Sequence, residues 1–390
     1  MSYATAANSW GPPFPTPVRK VGAPLAVIVG LGTLAALLLS LMTAVNPGGT
    51  VLGFGLSTIA MALVLVCYLW LDRWEPEPPR LLVLAFLWGA TVAVVISVLL
   101  EHVIAVSLPA GAPGTEEAAA SFVTAAVGAP IVEEAAKGAF LLLMMTGRRR
   151  IELNTLTDCL VYVGFTAVGF AWLENIFYIA NGETLAGSLA IAGMRLVLSP
   201  FAHPLFTTMF GIGVYFALQR RNPLAKAACL VVGYIGAVIM HALWNGSALI
   251  GARAYLGVYL LWMVPIFALA VVLAVASRRR ESRIIAAQLP GMVAGGLVTP
   301  VEAGWLMSLR SRKLAAAAAS RFGGRAAGTA VKRFGQQVVE LAYVRDRIDR
   351  GFGDARVWAL QHEEAYRVAA MRAAAGPALM HVNGSRLPAR

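Results

Sequence analysis

The chain predicts an all-α fold, a polytopic membrane bundle of about eight spanning helices with a small helical C-terminal tail. Three observations predict it. Hydrophobic residues make up 58% of the 390 residues and charged residues only 13%, against about 25% charged in an ordinary soluble domain, and mean hydropathy is +0.71. Apolar runs recur along the first 277 residues, each near the roughly 20 helical residues that cross a hydrocarbon layer about 30 Å thick. The charge lies elsewhere. Residues 278–390 hold 19 Lys and Arg against 8 Asp and Glu, net +11, which leaves 13 against 12, or +1, for everything before them.

The spans read near 22–45, 50–71, 81–105, 121–146, 155–180, 196–218, 227–249 and 255–277. The breaks between them carry turn and charge chemistry: Asn46-Pro47-Gly48-Gly49, the acidic and proline-rich run from Asp72 to Arg80, Arg148-Arg149-Arg150, Asn181-Gly182-Glu183, Arg220 to Pro223, and Arg278-Arg279-Arg280. The first apolar run, Val21 to Val45, is too long for a signal-peptide core and lacks a cleavage site, so it counts as a span. Cys67, Cys159 and Cys229 sit within or beside apolar runs without CxxC spacing and read as small hydrophobes.

Orientation follows from basic residues flanking cytoplasmic ends. Arg19, Lys20, Arg73, Arg80, Arg148, Arg149, Arg150, Arg220, Arg221, Lys226, Arg278, Arg279 and Arg280 fall on one side, whereas the other side has Arg253 and Arg195 with Glu116, Glu117 and Glu183. Eight spans with both termini cytoplasmic satisfy that arrangement in a bacterial-type plasma membrane. The organisation expected is a Pro-rich cytoplasmic N-terminus over 1–20, a transmembrane bundle over 21–277, and a basic cytoplasmic helical tail over 278–390. In the tail, Thr299-Pro300-Val301-Glu302 has the pattern of a capping box with proline at the first helical position. Stretches near 330–350 and 354–374 are helical in composition, which suits a small helical domain or an interfacial array. Beside a membrane, such a basic tail is expected to face anionic lipid head groups, with no nucleic acid expected.

Within this apolar background lie Glu133, Glu134 and Lys137, then Glu174 and Asn175, Arg195, His203, and His241 with Asn245. An ionisable side chain in hydrocarbon costs roughly 2.5–3.5 kcal/mol on insertion scales and marks a site or pathway. Glu133 and Glu134 are 100° apart around a helix, and Lys137, at i+4 from Glu133, is placed to pair with one and leave the other unpaired. Glu174 shares a face with Phe170 and Tyr178, with Arg195 as a possible partner. His203 lies between Pro200 and Pro204, which interrupt backbone hydrogen bonding and free backbone groups to line a cavity, and Thr207 is one turn on. His241 and Asn245 share a helical face beside Trp244. By contrast, Glu101-His102 reads as a wet helix end, and His362 and His381 fall in the tail.

These residues resemble the PrsW family of intramembrane proteases, related to the CAAX-protease and Abi superfamily. The resemblance covers roughly residues 70–250: Glu75-Pro76-Glu77-Pro78, the Glu133-Glu134-x-x-Lys137 run, Gly169-Phe170 with Glu174-Asn175 and Tyr178, His203 and Thr207 after Arg195, and His241-x-x-x-Asn245. It implies hydrolysis of a peptide bond in a membrane-anchored protein, in some members an anti-sigma factor. The inventory suits that chemistry. Glu133 is cast as general base with Glu134 orienting or alternating with it. His203 and His241 would hold the water or a metal, and Asn245 would donate to the oxyanion. Lys137, Glu174, Asn175, Tyr178, Arg195 and Thr207 are supporting residues. Two His with Glu133 or Glu174 would match a catalytic zinc site, but no His-Glu-x-x-His is present, and metal-free glutamate catalysis stands beside it. The rival is a proton-coupled transporter using the same groups as a relay; a scaffold whose tail recruits a partner leaves the buried carboxylates unexplained.

Overall fold

The computed structural model describes residues 23–107, 122–147 and 149–385. The expectations for residues 1–20, including Arg19 and Lys20, and for Glu116, Glu117 and Arg148 lie outside the described residues. All regular structure described is helical. The chain divides into two compact units, one of Val21–Asp72 and Glu77–Val275, the other including Arg73–Pro76 and Ala276–Arg390.

The first unit begins with α1 (Leu25–Val45) and α2 (Pro47–Leu71). Asn46 separates them and caps α2, its Oδ1 accepting from the Gly49 N–H at 2.9 Å, with Pro47 as the first helical residue. Then come α3 (Pro79–Ser107), wound as a π-helical turn over Trp88–Ala93, and α4 (Ala129–Met144), entered through a π-helical turn over Thr124–Gly128. Helix α5 (Leu156–Ala180) starts at a reciprocal capping box between Thr155 and Asp158 and is buried nearly all round, so it forms the centre of the bundle. Helices α6 (Leu185–Ala192), α7 (Ala202–Leu218), α8 (Pro223–Ile250) and the part of α9 (Ala252–Ala294) up to Val275 complete the order.

Helices in hydrocarbon gain no hydrophobic drive from meeting each other, so close backbone approach at small residues does the work. Gly89 of α3 lies so near α5 that a Cβ there would run into the Thr166 carbonyl oxygen, and one on Gly169 would meet the Phe86 carbonyl. Gly213 of α7 and Gly233 of α8 make the same approach. Side chains add cross-links: Trp172 Nε1 donates to Thr58 Oγ1 at 2.9 Å, and Tyr162 Oη donates to the buried Glu77 at 2.6 Å.

Among the described residues, seven helical stretches are long and apolar enough to cross a membrane, one of them Leu185–Leu218, which takes in both α6 and α7. Helix α4 is not among them. It has 16 residues, and three of these are Glu133, Glu134 and Lys137. The expected sixth span, 196–218, is also different. A π-helical turn over Gly193–Leu198 follows α6, and the chain then leaves helical geometry before α7. Pro200 and Pro204 lack the N–H groups that would continue the ladder there. The helix of the last span does not stop at Arg278-Arg279-Arg280. Helix α9 runs through them to Ala294, because arginine is a good helix former, and the end comes where Gly296 takes φ +71°.

In the second unit, α10 (Pro300–Leu306) opens with the expected capping box between Thr299 and Glu302. Helix α11 (Leu309–Arg347) kinks at Gly323 and Gly324, the latter at φ +72°, which gives that glycine pair its structural meaning. Helices α12 (Ala355–Ala374) and α13 (Gly376–Gly384) follow. Trp305, Phe334, Val338, Leu341, Val368 and Leu379 form a core that also takes in Trp74. This tail is therefore packed around its own interior. Cys67, Cys159 and Cys229 are all free thiols.

Candidate active site

Four elements of the first unit bring the intramembrane ionisable residues together. Helix α4 supplies Glu133, Glu134 and Lys137, α5 supplies Glu174 and Asn175, α7 supplies His203 and Thr207, and α8 supplies His241. Glu133, Glu134, Lys137, His203, Thr207 and His241 are all buried.

Lys137 is the hub. Its Nζ donates to Glu133 Oε2 at 3.0 Å, to Glu134 Oε1 at 2.8 Å and to His203 Nδ1 at 3.1 Å, and rests 4.0 Å from the centre of the Phe170 ring. This corrects the expectation that one glutamate would lack a partner. Although the two carboxylates start 100° apart, they stand at i+4 and i+3 from one flexible side chain with three protons to give.

That contact also fixes the histidines. An ammonium only donates, so His203 Nδ1 accepts and the ring proton sits on Nε2, which faces Glu174 Oε2 at 2.6 Å. Glu174 is held in turn by Arg195, whose Nη2 is 2.5 Å away, while Arg195 Nε donates to Asn175 Oδ1 at 2.7 Å. Tyr178 lies under the Arg195 guanidinium at 4.2 Å and is 45% exposed. His241 Nδ1 stands 3.0 Å from Glu134 Oε1 and donates to it, which leaves Nε2 with its lone pair. Thr207 Oγ1 is 2.9 Å from Glu134 Oε2 and 3.0 Å from the His203 carbonyl.

The two unprotonated ring nitrogens turn towards one atom. His203 Nδ1 and His241 Nε2 each lie 3.9 Å from Glu133 Oε2. Donor atoms of Glu133, His203 and His241 are all within 4.8 Å of one another, so these residues form a group able to hold a metal ion. Tetrahedral zinc bonded at about 2.0–2.1 Å sets its ligand atoms about 3.3 Å apart. Each imidazole also has its outer nitrogen fixed by a carboxylate, the arrangement found around ligating histidines. The residues fit a metal.

Asn245 uses one of its two amide protons on the backbone of α4's entry turn. It shares a helical face with His241, its Nδ2 donates to the Ala125 carbonyl at 3.0 Å, and the side chain lines a cavity beside the cluster. That cavity, about 490 Å³, is bounded by Glu174, Arg195, His203, Trp244 and Asn245 but not by Glu133 or His241, so it reaches the cluster from the His203 side. Glu101 is half-buried near the end of α3. Phe206 was not singled out from the sequence. It stacks on His241 at 4.6 Å, and its place three residues after His203 was the available signal. His102, His362 and His381 are exposed and take no part.

The family described as PrsW family intramembrane metalloprotease matches residues 77–296, more than half of the chain. The chain belongs to the PrsW family of intramembrane metalloproteases. It is similar to Protease PrsW of Geobacillus kaustophilus (strain HTA426), 26% identical over 206 residues that cover 52% of this chain and 84% of that one. It is also similar to Protease PrsW of Clostridioides difficile (strain 630), 26% identical over 198 residues, 50% of this chain and 79% of the relative. No solved structure matches it. This PrsW-family chain is thus an integral membrane hydrolase acting on a membrane protein, and nothing in the comparisons or the described residues supports a transporter.

Proposed function

We propose that Glu133, His203 and His241 activate a water molecule for attack on a peptide bond of a membrane-anchored protein. The supporting observation is the convergence of both unprotonated imidazole nitrogens on Glu133 Oε2 at 3.9 Å. Glu133 is the base because Glu134 is already committed, one oxygen to Lys137 and His241, the other to Thr207. Glu133 has Lys137 alone within hydrogen-bond reach. Glu133 takes a proton as the water oxygen bonds to the scissile carbonyl carbon. When the C–N bond breaks, the proton taken up by Glu133 passes by way of His203, which spans cluster and cavity, to the leaving amine. Asn245 has one amide proton left after Ala125 and faces the cavity, where it donates to the oxyanion. Arg195, Asn175 and Tyr178 hold Glu174, and Glu174 holds His203.

Glu133, His203 and His241, with Glu174 as the alternative carboxylate, would hold the metal, for which zinc suits a donor set of two imidazoles and a carboxylate. When bound, it lowers the pKa of its water and polarises the carbonyl. A metal-free glutamate mechanism is the second reading, favoured by one observation: the Lys137 ammonium already stands at Glu133 Oε2 and His203 Nδ1.

The substrate class extends to single-span regulators such as an anti-sigma factor. Basic residues at Arg80, Arg220, Arg221 and Lys226 support a cytoplasmic side for both termini, with the +11 of the tail facing anionic lipid. The test is co-expression with tagged single-span membrane proteins. Wild type yields a truncated product that Glu133→Gln does not, and equal product from both would end the assignment.

A further inference from the structure

We propose that the two cavities flanking the Ser199–Phe201 break form one substrate cleft, with the scissile peptide against His203 and a bulky apolar side chain near it seated in the second cavity. The proposal rests on the protease assignment above and narrows the substrate to a class defined by that side chain.

The second cavity, about 270 Å³, is built by Leu198, Phe201, Leu205, Met263, Val264 and Phe267 with residues it shares with the first. Those shared residues are Ser199, Pro200, Ala202 and Trp244, so the interrupted backbone between α6 and α7 is the ridge between the two spaces. Their chemistry differs. The first has His203, Glu174, Arg195 and Asn245 in its wall. In the second, the one phenol, Tyr259, is already spent on the Leu198 carbonyl at 3.0 Å.

A peptide bond inside a helix is shielded from attack, so the substrate must be extended where it is cut. Its freed N–H and C=O groups then need partners that hydrocarbon does not offer. The first cavity has them. An extended chain also sends alternate side chains to opposite faces, so a segment laid across the ridge turns its backbone to the polar cavity and a side chain to the apolar one. Moving that side chain from lipid to protein gains little from hydrophobicity, since both are apolar. Selection there comes from shape and contact, and Val264 and Phe267 on α9 are the size-setting residues. Val264 is 44% exposed, so a larger side chain at that position is accommodated without repacking the core.

The test uses full-length protein in bicelles and a tagged single-span substrate carrying Ala, Leu or Phe at each position near the cut. Wild type should cleave the Leu or Phe form at least about tenfold faster than the Ala form at one position, the range a well-shaped apolar pocket discriminates. Val264→Trp, which fills the cavity, should bring that ratio close to one. Phe267→Ala, which enlarges it, should shift preference towards Trp, and it reads the same pocket if Val264→Trp does not fold. Unchanged ratios in both variants, with Glu133→Gln inactive, would overturn the cleft while leaving the catalytic assignment standing. Cleavage by Glu133→Gln at the wild-type rate would remove that assignment, and the cleft with it.

Discussion

Replacing Lys137 by methionine removes the one ammonium that serves three buried partners. With the histidines neutral, Glu133, Glu134 and Glu174 set three negative charges against Lys137 and Arg195, a formal −1, which the substitution takes to −2. Breaking a buried ion pair from one side costs about 3–5 kcal/mol, because the remaining charge stays buried without compensation. Lys137 has two carboxylates at 3.0 and 2.8 Å and its side chain is fully buried, so the loss should fall in the upper part of that range. Reversible unfolding in mixed micelles measures it. The informative comparison is a cycle of Lys137→Met, Glu134→Gln and the double variant, in which the second change withdraws the charge that the first strands. The double variant should recover at least about 2 kcal/mol relative to additivity. A Lys137→Met protein within about 0.5 kcal/mol of wild type, or an additive cycle, would refute the account of Lys137 as the charge that makes this cluster tolerable.

Other outcomes follow from the same geometry. Glu133→Gln should lower cleavage at least 10²–10⁴-fold, the range for a lost general base, as measured by product formation. Thr207→Val, near in shape but without the hydroxyl, should destabilise by about 1–3 kcal/mol, because buried Glu134 loses a donor; chemical unfolding reads it. Gly89→Ala should cost about 1–3 kcal/mol or more by forcing α3 away from the Thr166 carbonyl, whereas alanine at Gly55, which meets nothing within 4 Å, should leave stability unchanged. Dialysis against chelator should abolish cleavage, and zinc should restore it. Full activity after chelation would select the metal-free mechanism.

Much of the site was legible because the background made it so. Glu174 and Arg195 stand out in apolar sequence, and charges placed there have to find each other. His241 was visible for the same reason. What could not be read was the reach of individual side chains. Lys137 bridges both glutamates because its four-carbon stem lies between i−3 and i−4, whereas the count of charges suggested a single pair. Asn245 shares its face with His241, but the nearby Ala125 carbonyl takes one of its two amide protons. The fold shows the same division. The cap at Thr299 is local chemistry and sits where the sequence places it. The run of α9 through three arginines depends on nothing nearby stopping it, and Trp74 joins the core of the C-terminal unit through packing across long sequence separation.

The central claim is that Glu133 and His241, more than a hundred residues apart, act as one unit on one water. Residual cleavage rates of Glu133→Gln, His241→Ala and the combined variant on a single tagged substrate test this directly. Groups that act together lose nearly everything when either is removed, so the combined variant should be no slower than the slower single variant. A combined loss equal to the product of the two single losses would mean that the residues work independently, and would contradict the account.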